Sequence, residues 1–123
     1  MDFCWSTLYV KDMDESVKFY EEVIELSVNQ RFAAGPGMEI AFLGQGETKI
    51  ELIFDPSKNN IDPGHDISWG FRVASLDETM KFLKDRGIKI IAGPIEPNPN
   101  TRFIYILDPN GMKIQLVEEN TKQ

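Results

Sequence analysis

The chain has 123 residues, a formal net charge of −7, 41% apolar and 27% charged side chains, and a single cysteine. That length is one domain's worth with a packed core, and the composition excludes a disordered, collagen-like or coiled-coil chain. The acid excess argues against a phosphate-tracking face for nucleic acid, no apolar run approaches the roughly 20 residues of a membrane span, and a lone Cys4 excludes an intrachain disulfide.

Met1-Asp2-Phe3-Cys4-Trp5 lacks the charged and apolar regions of a signal peptide, so a cytoplasmic protein is expected. Alternation then predicts a strand over residues 3–10, with Leu8 and Val10 on one face and Trp5, Thr7 and Tyr9 on the other. Asp12, with Glu15 three residues on, opens a helix whose buried stripe is Met13, Val17, Tyr20 and Ile24. Strands follow at 27–33, 38–43 and 48–54, punctuated by Gly35-Pro36-Gly37 and Gly44-Gln45-Gly46.

Residues 55–66 are rich in Pro, Asn, Asp and Gly and read as a linker. A second strand carries Phe71 and Val73. The next helix has Ser75 and Glu78 as its capping box, Leu76, Met80 and Leu83 as its stripe, and Gly87 as its stop. The last strands are placed at 88–91, 102–107 and 112–118, with Asp108-Pro109-Asn110-Gly111 as the final turn.

The two halves repeat. A shift of 63 lays Leu8, Val10, Asp14, Glu15 and Phe19 over Phe71, Val73, Asp77, Glu78 and Phe82. A shift of 64 lays Lys49-Ile50-Glu51-Leu52-Ile53 over Lys113-Ile114-Gln115-Leu116-Val117. The expected fold is therefore α+β: two tandem βαβββ modules, about 1–54 and 67–119, forming one domain with a curved mixed sheet and helices on its outer face. Two such twisted sheets side by side would enclose a cleft lined by the side chains that turn away from the helices.

Strand alternation chooses those side chains. Ile50, Leu52 and Phe54 form the helix-facing set, which leaves Glu51 and Ile53 for the other side, with Gln115 and Val117 as their counterparts. Trp5 and Ser68 are equivalent in the first strand of each module. Two related pairs are thus singled out, Trp5 with Ser68 and Glu51 with Gln115.

The segments LYVKDMDESVKFYEEVIEL, ETKIELI, GFRVASLDETMKFLKDRGI and LDPNGMKIQLVE resemble, in order, signature segments of the glyoxalase, bleomycin-resistance and extradiol-dioxygenase superfamily, the vicinal oxygen chelate proteins. The resemblance implies a homodimer, often with the first module of one chain facing the second module of the other. In metal-dependent members it also implies a divalent ion held at four positions, usually by His or Gln, Glu, His and Glu. Here those positions read Trp5, Glu51, Ser68 and Gln115, so no metal ligand set and no cofactor are expected, with a divalent metal as the alternative.

The expected function is a metal-free site that binds or sequesters a small cationic or aromatic molecule. Trp5 would be its stacking surface, Glu51 the partner of a cation or donor, and Ser68 and Gln115 its polar anchors. The alternative is an enzyme of the glyoxalase I or dioxygenase type, metal-dependent or using Glu51 as general base. A third reading has Glu51 and Gln115 bonded to each other or to backbone in a closed, ligand-free interface. His65 stands three residues before Ser68, an odd offset that turns it to the opposite face of a continuous strand; it is expected to cap or solvate the linker end, and a Cys4/His65 nucleophile pair is not expected. Arg31, Arg72 and Arg102 are candidates for the cleft mouth, with solvated strand ends expected for at least two of them.

Overall fold

A computed structural model describes residues 1–120, and its backbone contacts gather into two compact units, Met1–Pro63 and a second that begins at Gly64. The first contains β1 (Trp5–Tyr9), α1 (Met13–Glu22), β2 (Val28–Gly35), β3 (Met38–Leu43) and β4 (Lys49–Phe54). Its sheet runs β1-β4-β3-β2, parallel between β1 and β4 and antiparallel elsewhere. The parallel pair forms because α1 carries the chain back between β1 and the antiparallel strands.

Asp12 starts α1 as the repeat predicts, its extended backbone leaving Oδ1 to accept the Glu15 N–H at 3.0 Å. The helix ends two residues before Ile24, and Glu25 takes a left-handed φ of 65° while the Leu26 N–H donates to the Tyr20 carbonyl. Met13, Val17 and Tyr20 are buried with Leu8, Val10, Ala41, Leu43 and Leu52, so the first core lies between helix and sheet. Arg31 ties this layer together: its Nη2 donates to Asp14 in the first turn of α1 and its Nε donates to Glu39 on β3, both at 2.5 Å. Those bonds, Glu39 first and Asp14 second, hold the guanidinium above its ordinary basicity.

The second unit contains β5 (Ser68–Arg72), α2 (Leu76–Asp85), β6 (Ala92–Asn98), β7 (Thr101–Leu107) and β8 (Lys113–Glu119), with sheet order β5-β8-β7-β6. Ser75 caps α2 by accepting the Glu78 N–H at 3.2 Å, and Glu118 reaches over from β8 to accept the Leu76 N–H at 2.6 Å. Leu76 and Leu83 are buried with Ile104, Ile106, Ile114 and Leu116, whereas Met80 is half-buried. Gly87, at φ 71°, ends this helix where Glu25 ends the first. The ion triad recurs with its charges exchanged between strands: Arg102 on β7 pairs with Asp77 of α2 at 3.2 Å and with Glu96 on β6 at 3.5 Å.

Two expectations need correction. The strand placed at 88–91 instead occupies Ala92–Asn98, after Ile91 has already given its N–H to the Tyr105 carbonyl. Pro94 and Pro97 make that stretch read as loop, yet β6 is an edge strand with two register shifts, the setting in which proline's missing N–H is tolerated. Two of the arginines do more than end a strand, since Arg31 and Arg102 reach the first turns of α1 and α2, whereas Arg72 closes β5 as an exposed strand end, paired with Glu119 at 2.9 Å.

Candidate ligand-binding faces

The sheet face of the first unit that turns away from α1 is built in ladder rows. Trp5 is opposite Lys49; Thr7 is opposite Glu51, which is opposite Phe42; Tyr9 is opposite Ile53, which is opposite Ile40 and then Phe32. Alternation therefore brings Trp5 and Glu51 to one face of adjacent strands, as expected. Ile53 lies in the same set but is only 8% exposed, flanked on its ladder by Tyr9 and Ile40.

Phe42 organises this face. Its ring meets the edge of Trp5 at 5.3 Å and stacks with Phe32 at 6.4 Å, giving a run of three aromatic rings of which Trp5 is 49% and Phe32 42% exposed. The Thr7 hydroxyl donates to Glu51 Oε1 at 2.6 Å, within the range of bonds to a charged oxygen. Lys58 lies over the Tyr9 ring at 5.3 Å. At the Trp5 end a pocket of about 600 Å³ is lined by Trp5 and Phe42 together with Asp2, Glu47 and Gln30. That volume is in the range of small-molecule sites.

The corresponding face of the second unit has the same register and different chemistry. Ser68 is opposite Lys113, and Gly70 is opposite Gln115, which is opposite Tyr105. Ser68 and Gln115 thus share a face, in the rows that Trp5 and Glu51 occupy in the first unit. A Cβ on Gly70 would lie 3.1 Å from Gln115 Oε1, so the amide rests in space that a side chain would take. Lys113 covers the Tyr105 ring at 4.9 Å, and Phe103 meets Tyr105 edge-on at 5.6 Å.

Charge divides between the units. Residues 1–63 hold twelve Asp and Glu against five Lys and Arg, and residues 64–123 hold eight of each, so the whole acid excess belongs to the first unit. His65 is exposed in the segment before β5, and Cys4 is exposed with its thiol 3.6 Å from the Asp2 carbonyl. Thr7 and Phe42 carry no site role in the sequence reading. The signal for both was present, because Thr7 follows Trp5 by two and Phe42 alternates with the buried Ala41 and Leu43, but their meeting at Glu51 depends on strand register.

A profile of the Glyoxalase/Bleomycin resistance protein/Dioxygenase superfamily matches residues 4–116. The chain belongs to this superfamily. It is 25% identical over 121 residues to a probable lactoylglutathione lyase of Synechocystis, covering 93% of this chain and 92% of that one. With a lactoylglutathione lyase of Haemophilus influenzae it shares 27% identity over 98% of this chain and 95% of the other. Among solved structures, a glyoxalase family protein from Bacillus cereus superposes with a TM-score of 0.79 at 21% identity, covering 94% and 91% of the two chains. An antibiotic binding protein from Streptomyces gives 0.75 at 20% identity over 97% and 96%. These structures establish the tandem βαβββ glyoxalase fold.

The superfamily's metal positions can be tested against the donors this member offers. Trp5 supplies an indole without a free lone pair, Ser68 a neutral hydroxyl, Gln115 a neutral amide and Glu51 the single carboxylate. Glu51 Oε1 is already engaged by Thr7. Among the described residues no cluster of three or more His, Cys, Asp or Glu side chains is suited to hold an ion. These four residues do not fit the ion of the metal-dependent members, which take His and carboxylate ligands.

Proposed function

We propose that this superfamily member binds small cationic aromatic molecules without a metal. The observation that carries the reading is the Glu51 carboxylate, held by Thr7 beside the run Trp5–Phe42–Phe32 on the open face of an acidic unit. Aromatic faces and a carboxylate attract the same ligands, flat rings with positive charge, and each contact is worth most where water is displaced. The pocket at the Trp5 end, rimmed by Asp2 and Glu47, gives such a ring room to lie. Ser68 and Gln115, on the equivalent face of the second unit, offer a neutral hydroxyl and a neutral amide where the first unit has a ring and a carboxylate. The fold shared with an antibiotic binding protein supports sequestration as the use of such a site. The protein acts as a cytoplasmic homodimer in this reading, which sedimentation of the purified chain would test.

The test uses N-methylacridinium and its neutral relative acridine in titration calorimetry at pH 7.5. Glu51→Gln should weaken the cation by about tenfold and leave acridine nearly unchanged, as removal of one charged contact predicts. Trp5→Ala should weaken both. Absence of binding by either compound to the wild-type protein, or purification with a stoichiometric transition ion, would overturn the reading.

A second reading is favoured by two curated relatives, a probable lactoylglutathione lyase and a lactoylglutathione lyase, each matched over nearly its whole length. In it Glu51 acts as general base in a lyase reaction. Formation of S-lactoylglutathione from glutathione and methylglyoxal by the purified protein, abolished in Glu51→Gln, would establish that activity in place of binding.

A further inference from the structure

We infer that Thr7 is the positioning residue that fixes Glu51 for a cationic ligand group, an inference that rests on the binding function proposed above. Glu51 has two ladder neighbours on its face, Thr7 and Phe42, and only Thr7 carries a hydrogen-bond donor. The threonine hydroxyl donates to Oε1 at 2.6 Å, while Oε2 accepts no hydrogen bond among the described residues. A β-branched side chain in a strand is restricted at χ1, so the hydroxyl holds a fixed direction and passes that direction to the carboxylate. Glutamate otherwise surrenders its rotamer freedom when a ligand binds. Thr7 has already imposed that order, and Oε2 remains for the ligand.

The second unit supplies an internal comparison. At the equivalent row Gly70 stands for Thr7 and Gln115 for Glu51, so hydroxyl and charge are lost together. With no Cβ at residue 70, the Gln115 amide settles against the strand, where a methyl group would approach its oxygen to 3.1 Å. Thr7 with Glu51 forms an anchored anion; Gly70 with Gln115 forms a neutral pair with no side-chain bond between its members. The first is suited to a ligand of fixed positive charge, because its acceptor is oriented before the ligand arrives.

The experiment compares Thr7→Val, which removes the hydroxyl at nearly constant volume, with Thr7→Ser, which keeps it. N-methylacridinium and acridine are titrated into the wild-type chain, both variants, Glu51→Gln and the Thr7→Val/Glu51→Gln double variant. Thr7→Val should weaken the cation about three- to tenfold, the share of one side chain that must be ordered on binding, and leave acridine within about twofold. Thr7→Ser should restore cation affinity. In the Glu51→Gln background Thr7→Val should have no further effect, since the group it positions is gone. Equal weakening of both probes would assign Thr7 a packing role and overturn the inference. Wild-type cation affinity in Thr7→Val, alongside a loss in Glu51→Gln, would overturn it while leaving the binding function intact. An unchanged affinity in Glu51→Gln would overturn both. Thr7→Ala serves in place of Thr7→Val if the latter does not fold, with the same expected loss for the cation alone.

Discussion

Replacing Asp108 by alanine is expected to cost more stability than any single surface substitution in this chain. Asp108 is 5% exposed, at the turn that joins β7 to β8. Its Oδ1 accepts the Asn110 N–H at 2.7 Å and the Met112 N–H at 2.8 Å, and its Oδ2 accepts the Asn110 amide at 3.2 Å. Asn110 and Met112 are themselves only 4% and 2% exposed, so alanine strands two backbone donors where water has little access. At about 1–3 kcal/mol for each unsatisfied buried group, the expected loss is about 2–6 kcal/mol. Asp108→Asn keeps an oxygen in the Oδ1 place and should lose about 1 kcal/mol. Urea unfolding followed by tryptophan fluorescence measures both. The turn also sets the register that puts Gln115 opposite Tyr105, so Asp108→Ala should broaden the amide signals of β8 before the chain unfolds. A loss below about 1 kcal/mol for Asp108→Ala would refute the argument, since it would mean the donors find other partners.

Glu25→Gly should raise stability by about 0.5–1 kcal/mol, because Glu25 holds a left-handed φ of 65° that glycine adopts without steric cost; thermal unfolding would register the gain. Gly93→Ala should lose more than about 2 kcal/mol, since a Cβ there would lie 2.7 Å from the Phe103 carbonyl oxygen at a φ of 101°, and disordered β6 amides in exchange measurements would report it. The Asp55 carboxylate lies below its ordinary range, held first by the Ser57 N–H, then by the Ser57 hydroxyl and Lys58. A lowered folded value contributes stability that is complete above the unfolded value, about pH 4, and is lost as pH falls through the folded one. Wild type and Asp55→Ala should therefore differ by a constant amount above about pH 4 and converge below it, in unfolding curves taken from pH 6 to pH 2.

What could be read in the sequence depended on the duplication. One copy alone leaves the face of a short strand ambiguous, but Leu8 with Phe71 and Leu52 with Leu116 fix the buried set twice, and the exposed set follows by alternation. That reasoning placed Trp5, Glu51, Ser68 and Gln115 on faces where the structure also has them. It failed at β6, where two prolines and a glycine carry loop chemistry and only edge position reconciles them with a strand. It put Thr7 on the face of Trp5 without a partner and was silent on Gly70 and Phe42, because cross-strand partners are set by register. Register between distant strands is a tertiary fact, and composition does not encode it.

The two copies have diverged in matched pairs, and this constrains how the candidate site works. Where the first unit has Trp5 and Thr7 on β1, the second has the smaller Ser68 and Gly70 at the same positions of β5. Lys113 then lies over the Tyr105 ring, while Lys49 turns to the Gly46 carbonyl and leaves Trp5 to Phe42. The helix-facing sides keep their apolar character while changing size, with Leu8, Leu52 and Ala41 matched by Phe71, Leu116 and Ile104, and the Asp14–Arg31–Glu39 triad is matched by Asp77–Arg102–Glu96 with Arg and Glu exchanged between strands. The open faces differ in kind, aromatic and acidic in the first unit and small, neutral and lysine-shielded in the second, whereas the helix-facing sides differ in apolar size alone. A lone carboxylate among aromatics is a poor start for a metal site and a good one for a cation, because each added ring strengthens the second and adds no ligand to the first.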